Sequence, residues 1–121
     1  TGGLAAERLF AVPGSRLLQG CVIPDTRRVA AFLGHEEAAL EPGSVLTSAH
    51  RVREMAGVDV GLAMLGFVHA DQDHQPVVKA CTAVAGEGIS QTFSWEMGGD
   101  VAVLRARGAV IGLNTLRLAL S

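Results

Sequence analysis

The chain has no tyrosine and few other aromatic residues, with four phenylalanines and one tryptophan in 121 positions. A hydrophobic core must therefore be built mainly from alanine, valine and leucine. Basic residues are not in excess either, since ten lysines and arginines stand against twelve aspartates and glutamates. Because no basic stripe is interleaved with aromatic residues, the sequence gives no support to nucleic-acid binding.

Long apolar runs are also missing. No segment reaches the roughly 18–20 apolar residues of a membrane-spanning helix, and no signal peptide is visible. The sequence begins at Thr1 and not at a methionine, so we expect the natural protein to be longer. We expect no membrane partner and a cytoplasmic location. Cys21 and Cys81 lie in apolar runs without an adjacent base, which favours buried thiols over a disulfide or a reactive cysteine.

The residues that are present indicate a folded domain. With 49% hydrophobic residues and a mean hydropathy of +0.34, the chain is expected to form one domain over residues 1–121. Apolar periodicity and capping residues predict helices at 4–11, from 25 or 26 to 33, from 47 or 48 to 56, and after Asp100. Apolar runs predict strands at 17–23, 58–65, 76–85 and 89–93.

These elements predict an α/β fold. Strands separated by helices favour a three-layer α/β/α sandwich with a mostly parallel mixed sheet. A polar loop is predicted at 66–75, and the short link at 86–88 predicts an antiparallel hairpin at the end of the sheet. The last helix is predicted to carry an apolar stripe that comprises Val103, Ala106, Val110, Leu113, Leu116 and Leu120. Gly108 and Gly112 on the same helix are expected to permit close packing.

The first candidate site is the Thr1-Gly2-Gly3 stretch before the first predicted helix. Glycines let a ligand approach the backbone, and free N–H groups at the start of a helix favour an anion such as a phosphate. The alternative is a tight turn that needs glycine for steric reasons alone. Thr1 would then cap the helix.

Two cations are further candidates. Lys79, the only lysine, interrupts a predicted strand, and burial there would lower its pKa so that it acts as a base. The alternative is a solvent-facing position or an ion pair. Arg105, near the start of the last helix, could reach a phosphate or a carboxylate, or form a salt bridge.

A polar segment offers a possible metal site. Imidazole and carboxylate groups are suitable ligands for a divalent ion, and four of them lie close in sequence: His69, Asp71, Asp73 and His74. Their spacing matches no metal motif, and a solvated loop is the alternative. No cofactor is expected.

Several stretches together resemble the C-terminal domain of CinA proteins, a family that includes nicotinamide mononucleotide deamidases. The opening TGGLAAERLFAVPGS is similar to the family's TGG-helix-VPGS segment. The stretch FLG at 32–34, the strand DVGLAMLG at 59–66 and Gly99-Asp100 with Arg105 also match in order and spacing. The resemblance extends from end to end of the chain.

The resemblance implies an α/β/α sandwich with a five-stranded mixed sheet and an amide-hydrolysing site. In the family, a serine two positions before the TGG acts with a tyrosine and a lysine. That serine position and the strand that carries it precede Thr1, so the domain over residues 1–121 is expected to lack its N-terminal strand. The tyrosine position falls on Pro24 and the lysine position on Val29.

Other positions of the family site are also apolar in this chain. The serine of its GAVS stretch falls on Leu46, and the arginine of its GDR stretch falls on Val101. A serine hydroxyl is a weak nucleophile without an adjacent base. We therefore expect a non-catalytic module with a degenerate site, which binds a pyridine nucleotide or phosphate, or associates with itself as a homo-oligomer. The alternative is an active deamidase that uses a replacement base such as Lys79.

Overall fold

The structure, a computed structural model, describes residues 3–12, 20, 22, 26–33 and 41–121. Most of the predicted strand at 17–23 falls outside these residues. The helices and strands that it describes are, in chain order, α1 Leu4–Phe10, α2 Thr26–Leu33, α3 Pro42–Ala56, β1 Val60–Ala70, β2 Pro76–Gly86, β3 Ile89–Gly98 and α4 Val101–Ala119. The α/β class predicted from the sequence is confirmed.

The three described strands form one sheet in the order β1-β2-β3, and both pairings are antiparallel. The hairpin predicted between β2 and β3 is confirmed. For these strands the prediction of a mostly parallel sheet is wrong. Only residues 71–75 connect β1 to β2, whereas a parallel pair needs a crossover of about a dozen residues or more.

Two strands are longer than predicted. β1 extends to Ala70 and pairs with β2 throughout, so the predicted loop at 66–75 shrinks to a turn. β3 extends to Gly98 because its second half stays paired with the first residues of β2. Glycine and histidine in β1 gave a loop-like pattern, but the ladder of backbone hydrogen bonds continues through them.

Helix α3 begins earlier than predicted. Pro42 is its first residue, a position where the missing proline N–H costs nothing, and Glu41 precedes it. The predicted caps Thr47 and Ser48 lie inside the helix instead. Their hydroxyls donate to the carbonyls of Gly43 at 2.9 Å and Ser44 at 3.2 Å, one turn earlier.

Helices α3 and α4 pack on opposite faces of the sheet. On one face, Val45 and Ala49 of α3 form a buried cluster with the odd-numbered residues of β2, which are Cys81, Ala83 and Ala85. On the other face, Gly112 of α4 lies against Met64 of β1. Since successive side chains of a strand point to opposite faces, the even-numbered residues of β2 face α4. Cys81 is buried and free, as predicted.

The buried face of α4 differs from the predicted stripe. Val103, Val110 and Leu120 are 46%, 55% and 56% exposed. The buried residues are instead Leu104, Gly108, Ala109, Gly112 and Thr115. Gly108, Ala109 and Gly112 are small, so they let the axis of α4 approach the sheet closely. The face that carries these small residues is therefore buried, and the face with the larger apolar side chains is not. The predicted close packing at Gly112 and the predicted cap at Asp100 are confirmed: the Asp100 carboxylate accepts the N–H of Ala102 at 2.9 Å.

Helix α1 packs on α4. The Arg8 guanidinium donates to the carbonyl of Ala106 at 3.5 Å. Among the helices of the described ranges, none combines the length and the apolar character that a membrane crossing requires.

Candidate functional site

The start of α1 shows why glycine stands at Gly3. Its φ of 90° is unfavourable for residues with a Cβ, and a Cβ built there would lie 3.3 Å from Val22 Cγ2. The Gly3 carbonyl accepts the N–H of Glu7 at 3.0 Å, and no side chain caps the helix at this position. Thr1 and Gly2, the other predicted ligand-binding residues of this stretch, lie outside the described residues. The backbone conformation and the nearby Val22 side chain are therefore sufficient to explain why residue 3 is a glycine.

Lys79 lies on β2 with its side chain 58% exposed, 3.8 Å from the carboxylate of Glu96 on β3. The two residues are directly opposite in the antiparallel register. Lys79 shares the sheet face of Cys81 and therefore of α3, whereas Arg105 belongs to α4 on the other face. The structure thus separates these two predicted site residues, and it gives Lys79 the ion pair that the sequence allowed as an alternative.

The polar segment between β1 and β2 is a hairpin turn. The Asp71 carboxylate oxygen Oδ1 accepts the backbone N–H of Asp73 at 2.9 Å and of Gln75 at 2.8 Å. His74 has a φ of 59°, and its N–H donates to the Asp71 carbonyl at 3.1 Å. In the ranges that the structure covers, no three His, Cys, Asp or Glu side chains are grouped as metal ligands. The geometry therefore assigns Asp71 to the turn and does not assemble the predicted set.

The apolar residues at the family's polar positions fall in different places. Leu46 packs against the buried cluster between α3 and β2. Val101 is the first residue of α4 and is 47% exposed. Val29 belongs to α2, while Pro24 lies outside the described residues. Leu46 is thus part of the packing between helix and sheet.

A cavity of about 130 Å³, which the sequence does not predict, lies between the sheet and the first half of α4. We call this the α4-face cavity. Its lining includes Thr82, Trp95, Leu104, Arg105 and Gly108. The Thr82 hydroxyl and the Trp95 indole N–H are buried, and within the described part of the chain neither has a hydrogen-bond partner. The only sequence signals were a threonine inside an apolar strand and the single tryptophan.

The sequence is similar to a known protein family and to members of it. The family model described as CinA C-terminal domain matches residues 1–120. A CinA-like protein from Gemmatimonas aurantiaca is 32% identical over 130 residues, and one from Syntrophotalea carbinolica is 27% identical over 127 residues. These alignments cover 98% and 97% of this chain but 30% and 31% of the two relatives, so the chain spans less than a third of their length.

The fold is similar to that of a solved structure. A crystal structure of a competence-damaged protein (CinA) superfamily member from Escherichia coli has a TM-score of 0.78 and 22% identity to this chain. The superposition covers 99% of this chain and 75% of that one. At this identity the likeness shows a shared fold.

Proposed function

The chain belongs to the CinA C-terminal domain family, and from this membership we propose that it is a non-catalytic form of the domain. The observation that carries the proposal is the loss of groups that transfer protons. Pro24 and Val29 stand where the family resemblance places a tyrosine and a lysine. Neither residue can accept the proton of a serine hydroxyl, which is needed to make that hydroxyl an effective nucleophile.

The position of Lys79 supports the same conclusion. A lysine acts as a base where it is desolvated in an apolar pocket or lies beside another cation. Lys79 is instead more than half exposed and lies beside a carboxylate, Glu96. It also faces α3, whereas α1 packs on α4. Lys79 is therefore a poor replacement for the missing base.

We propose self-association as one mode of action. Val103, Val110 and Leu118 are 46%, 55% and 50% exposed, and their spacing places them along one side of α4. Apolar side chains that recur on one exposed helix face are typical of an interface. Retention of a pyridine nucleotide or a phosphate near Gly3 and Arg105 is the other mode, and it rests on the family resemblance.

The architecture of the complete domain is part of the proposal. We infer a three-layer α/β/α sandwich, because α3 and α4 already cover opposite faces of the described sheet. A cytoplasmic location agrees with the free thiol of Cys81, since buried free cysteines are typical of reducing compartments.

An ammonia-release assay tests the loss of catalysis. The chain and its Lys79→Ala variant are incubated with nicotinamide mononucleotide, and we expect neither to release ammonia above a heat-denatured sample. Release by the chain that exceeds that of the Lys79→Ala variant would establish the deamidase alternative. If the gene encodes a serine two positions before Thr1, the protein that carries this serine is assayed in parallel.

Two measurements separate the modes of action. In calorimetry, heat at millimolar nicotinamide mononucleotide supports a retained nucleotide site, and its absence leaves self-association. In sedimentation velocity, we expect an oligomer that Val110→Asp dissociates. Met55→Asp on α3 is the matched control, since Met55 is 63% exposed on the other side of the molecule. A monomer at all concentrations would contradict self-association.

A further inference from the structure

The α4-face cavity contains two buried polar atoms that nothing in the described structure satisfies. Thr82 is 1% exposed, and its Oγ1 is buried without a partner. The Trp95 Nε1 is likewise buried without a partner. Both residues line the same cavity. Buried polar groups in native proteins are nearly always hydrogen-bonded, so an unpaired couple in one cavity indicates a missing partner.

The strand register brings the two groups together. Thr82 is opposite Phe93, and Ala80 is opposite Trp95. Thr82 and Trp95 are therefore diagonal neighbours on the sheet face that α4 covers, with Cβ atoms within about 7–8 Å. A single oxygen atom at ordinary hydrogen-bond distances reaches two donors up to about 6 Å apart. The register thus places both groups on one sheet face, where one acceptor satisfies both if their donor atoms lie within that separation.

The chemistry of the two groups specifies an acceptor. An indole N–H only donates, whereas a hydroxyl donates or accepts. The oxygen that joins them must accept from Trp95, and it accepts the Thr82 proton as well when it carries no hydrogen of its own. Arg105 is the one cation of the lining, and it is an exposed residue. At the depth of Thr82 and Trp95 a carboxylate is therefore disfavoured, because two neutral donors do not compensate for burying a charge. A neutral carbonyl oxygen meets these conditions.

The size and the walls of the cavity specify the remainder of the ligand. A cavity of about 150 Å³ lined by apolar side chains accommodates benzene, so the 130 Å³ found in this fold suits a molecule of similar size. Met64, Val78 and Leu104 contribute apolar walls. Val68 and Val101, which are 62% and 47% exposed, also border the cavity and mark its open side.

We propose that the α4-face cavity binds a small neutral molecule that presents one carbonyl oxygen to Thr82 and Trp95 and an apolar body to the walls. This binding site goes beyond the proposed function, because it requires neither a nucleotide nor self-association. It shares Arg105 with the proposed nucleotide mode, since Arg105 also lines the cavity. It uses no residue of the TGG segment.

Cyclohexanone is a suitable probe for this site, and methylenecyclohexane is its matched control because a CH₂ group replaces the oxygen. Trp95 is the single tryptophan, so the chain gives one indole N–H resonance in a ¹⁵N-correlated spectrum. We expect cyclohexanone to shift this resonance in a saturable way. Methylenecyclohexane should bind about tenfold more weakly, the ratio that about 1.4 kcal/mol provides.

Variants at Thr82 identify the hydrogen bond. Thr82→Val should weaken cyclohexanone binding about tenfold, whereas Thr82→Ser, which keeps the hydroxyl, should bind nearly as the parent does. Thr115→Val is the control for a buried threonine outside the cavity lining, since its hydroxyl already donates to the Ile111 carbonyl at 2.8 Å. Each variant is first checked for a cooperative thermal transition.

Three results would overturn the proposal. The first is no saturable shift of the Trp95 resonance up to the solubility limit of cyclohexanone. The second is equal affinity for the two probes, or for the parent and Thr82→Val, which would reveal an unselective apolar void. The third is a water molecule that still contacts the indole proton at saturating probe, detected by a water–protein nuclear Overhauser effect. That water would itself be the missing partner.

Discussion

The backbone of Gly61 in β1 lies directly against the carbonyl group of Ala49 in α3, leaving no space for a Cβ atom. We therefore expect Gly61→Ala to destabilise the fold by about 1–3 kcal/mol, the usual cost of overpacking. The obstructing atom belongs to the backbone, so the helix itself must move. Urea denaturation measures the change.

Gly66→Ala is the control in the same strand. A Cβ there meets its nearest neighbour, Ala80 Cβ, at 3.4 Å, an ordinary contact. This variant should be within about 0.5 kcal/mol of the parent, as are most substitutions away from special features. Equal losses for Gly61→Ala and Gly66→Ala would contradict the close contact between β1 and α3.

The two buried threonines should respond differently to valine. Thr82→Val removes an unpartnered hydroxyl, so we expect the free energy of unfolding to rise by about 1 kcal/mol. Thr115→Val removes a hydroxyl that donates to Ile111, and it should lower that free energy by about 0.5–1.5 kcal/mol. Thermal and urea denaturation of both variants measure the two changes in the free energy of unfolding. A larger loss for Thr82→Val than for Thr115→Val would contradict it.

The ion pair between Lys79 and Glu96 should contribute little to stability. Both side chains are more than half exposed, and such pairs contribute about 0–1 kcal/mol. A double-mutant cycle with Lys79→Met and Glu96→Gln should give a coupling energy in this range that falls as salt is added. A coupling energy of several kcal/mol that is insensitive to salt would indicate that Lys79 is desolvated, and it would support the hypothesis that Lys79 acts as a base.

The turn between β1 and β2 should depend on Asp71. Its carboxylate accepts two backbone N–H groups, so Asp71→Ala should cost about 1–3 kcal/mol. Asp71→Asn keeps an acceptor oxygen and should recover much of this loss, and Asp73→Ala serves as the neighbouring control. The melting temperature of each of the three variants measures its stability relative to the parent. A melting temperature that rises with added zinc and falls in Asp73→Ala would instead favour the metal site.

The sequence predicted features that local chemistry determines. Gly88 has a φ of 69° in the link between β2 and β3, and this short glycine-rich link correctly indicated a hairpin. Asp100 was correctly identified as a cap because capping needs only the next two or three residues. The family was recognisable because its stretches occur in order along the chain.

The features that the sequence did not predict depend on tertiary contacts. Close packing at Gly112 was predicted, but the buried face of α4 was not, because hydrophobic periodicity does not count a glycine as a contact residue. The cavity was invisible because Thr82 and Trp95 are brought together only by the register of β2 with β3. Asp71 and His74 are close in sequence and therefore suggested a metal site. In the structure the Asp71 carboxylate accepts the N–H of Gln75, and the His74 N–H donates to the Asp71 carbonyl, so both residues belong to a turn.

The consecutive order of the strands has a consequence for folding. Each strand pairs with its neighbour in sequence across a short turn, so the described sheet closes only small loops and loses little chain entropy as it forms. The packing of α1 on α4 is different in kind, since the bond between Arg8 and Ala106 joins residues 98 positions apart. We therefore expect the described sheet and its two flanking helices to form before the N-terminal helix docks, since that docking closes a much longer loop.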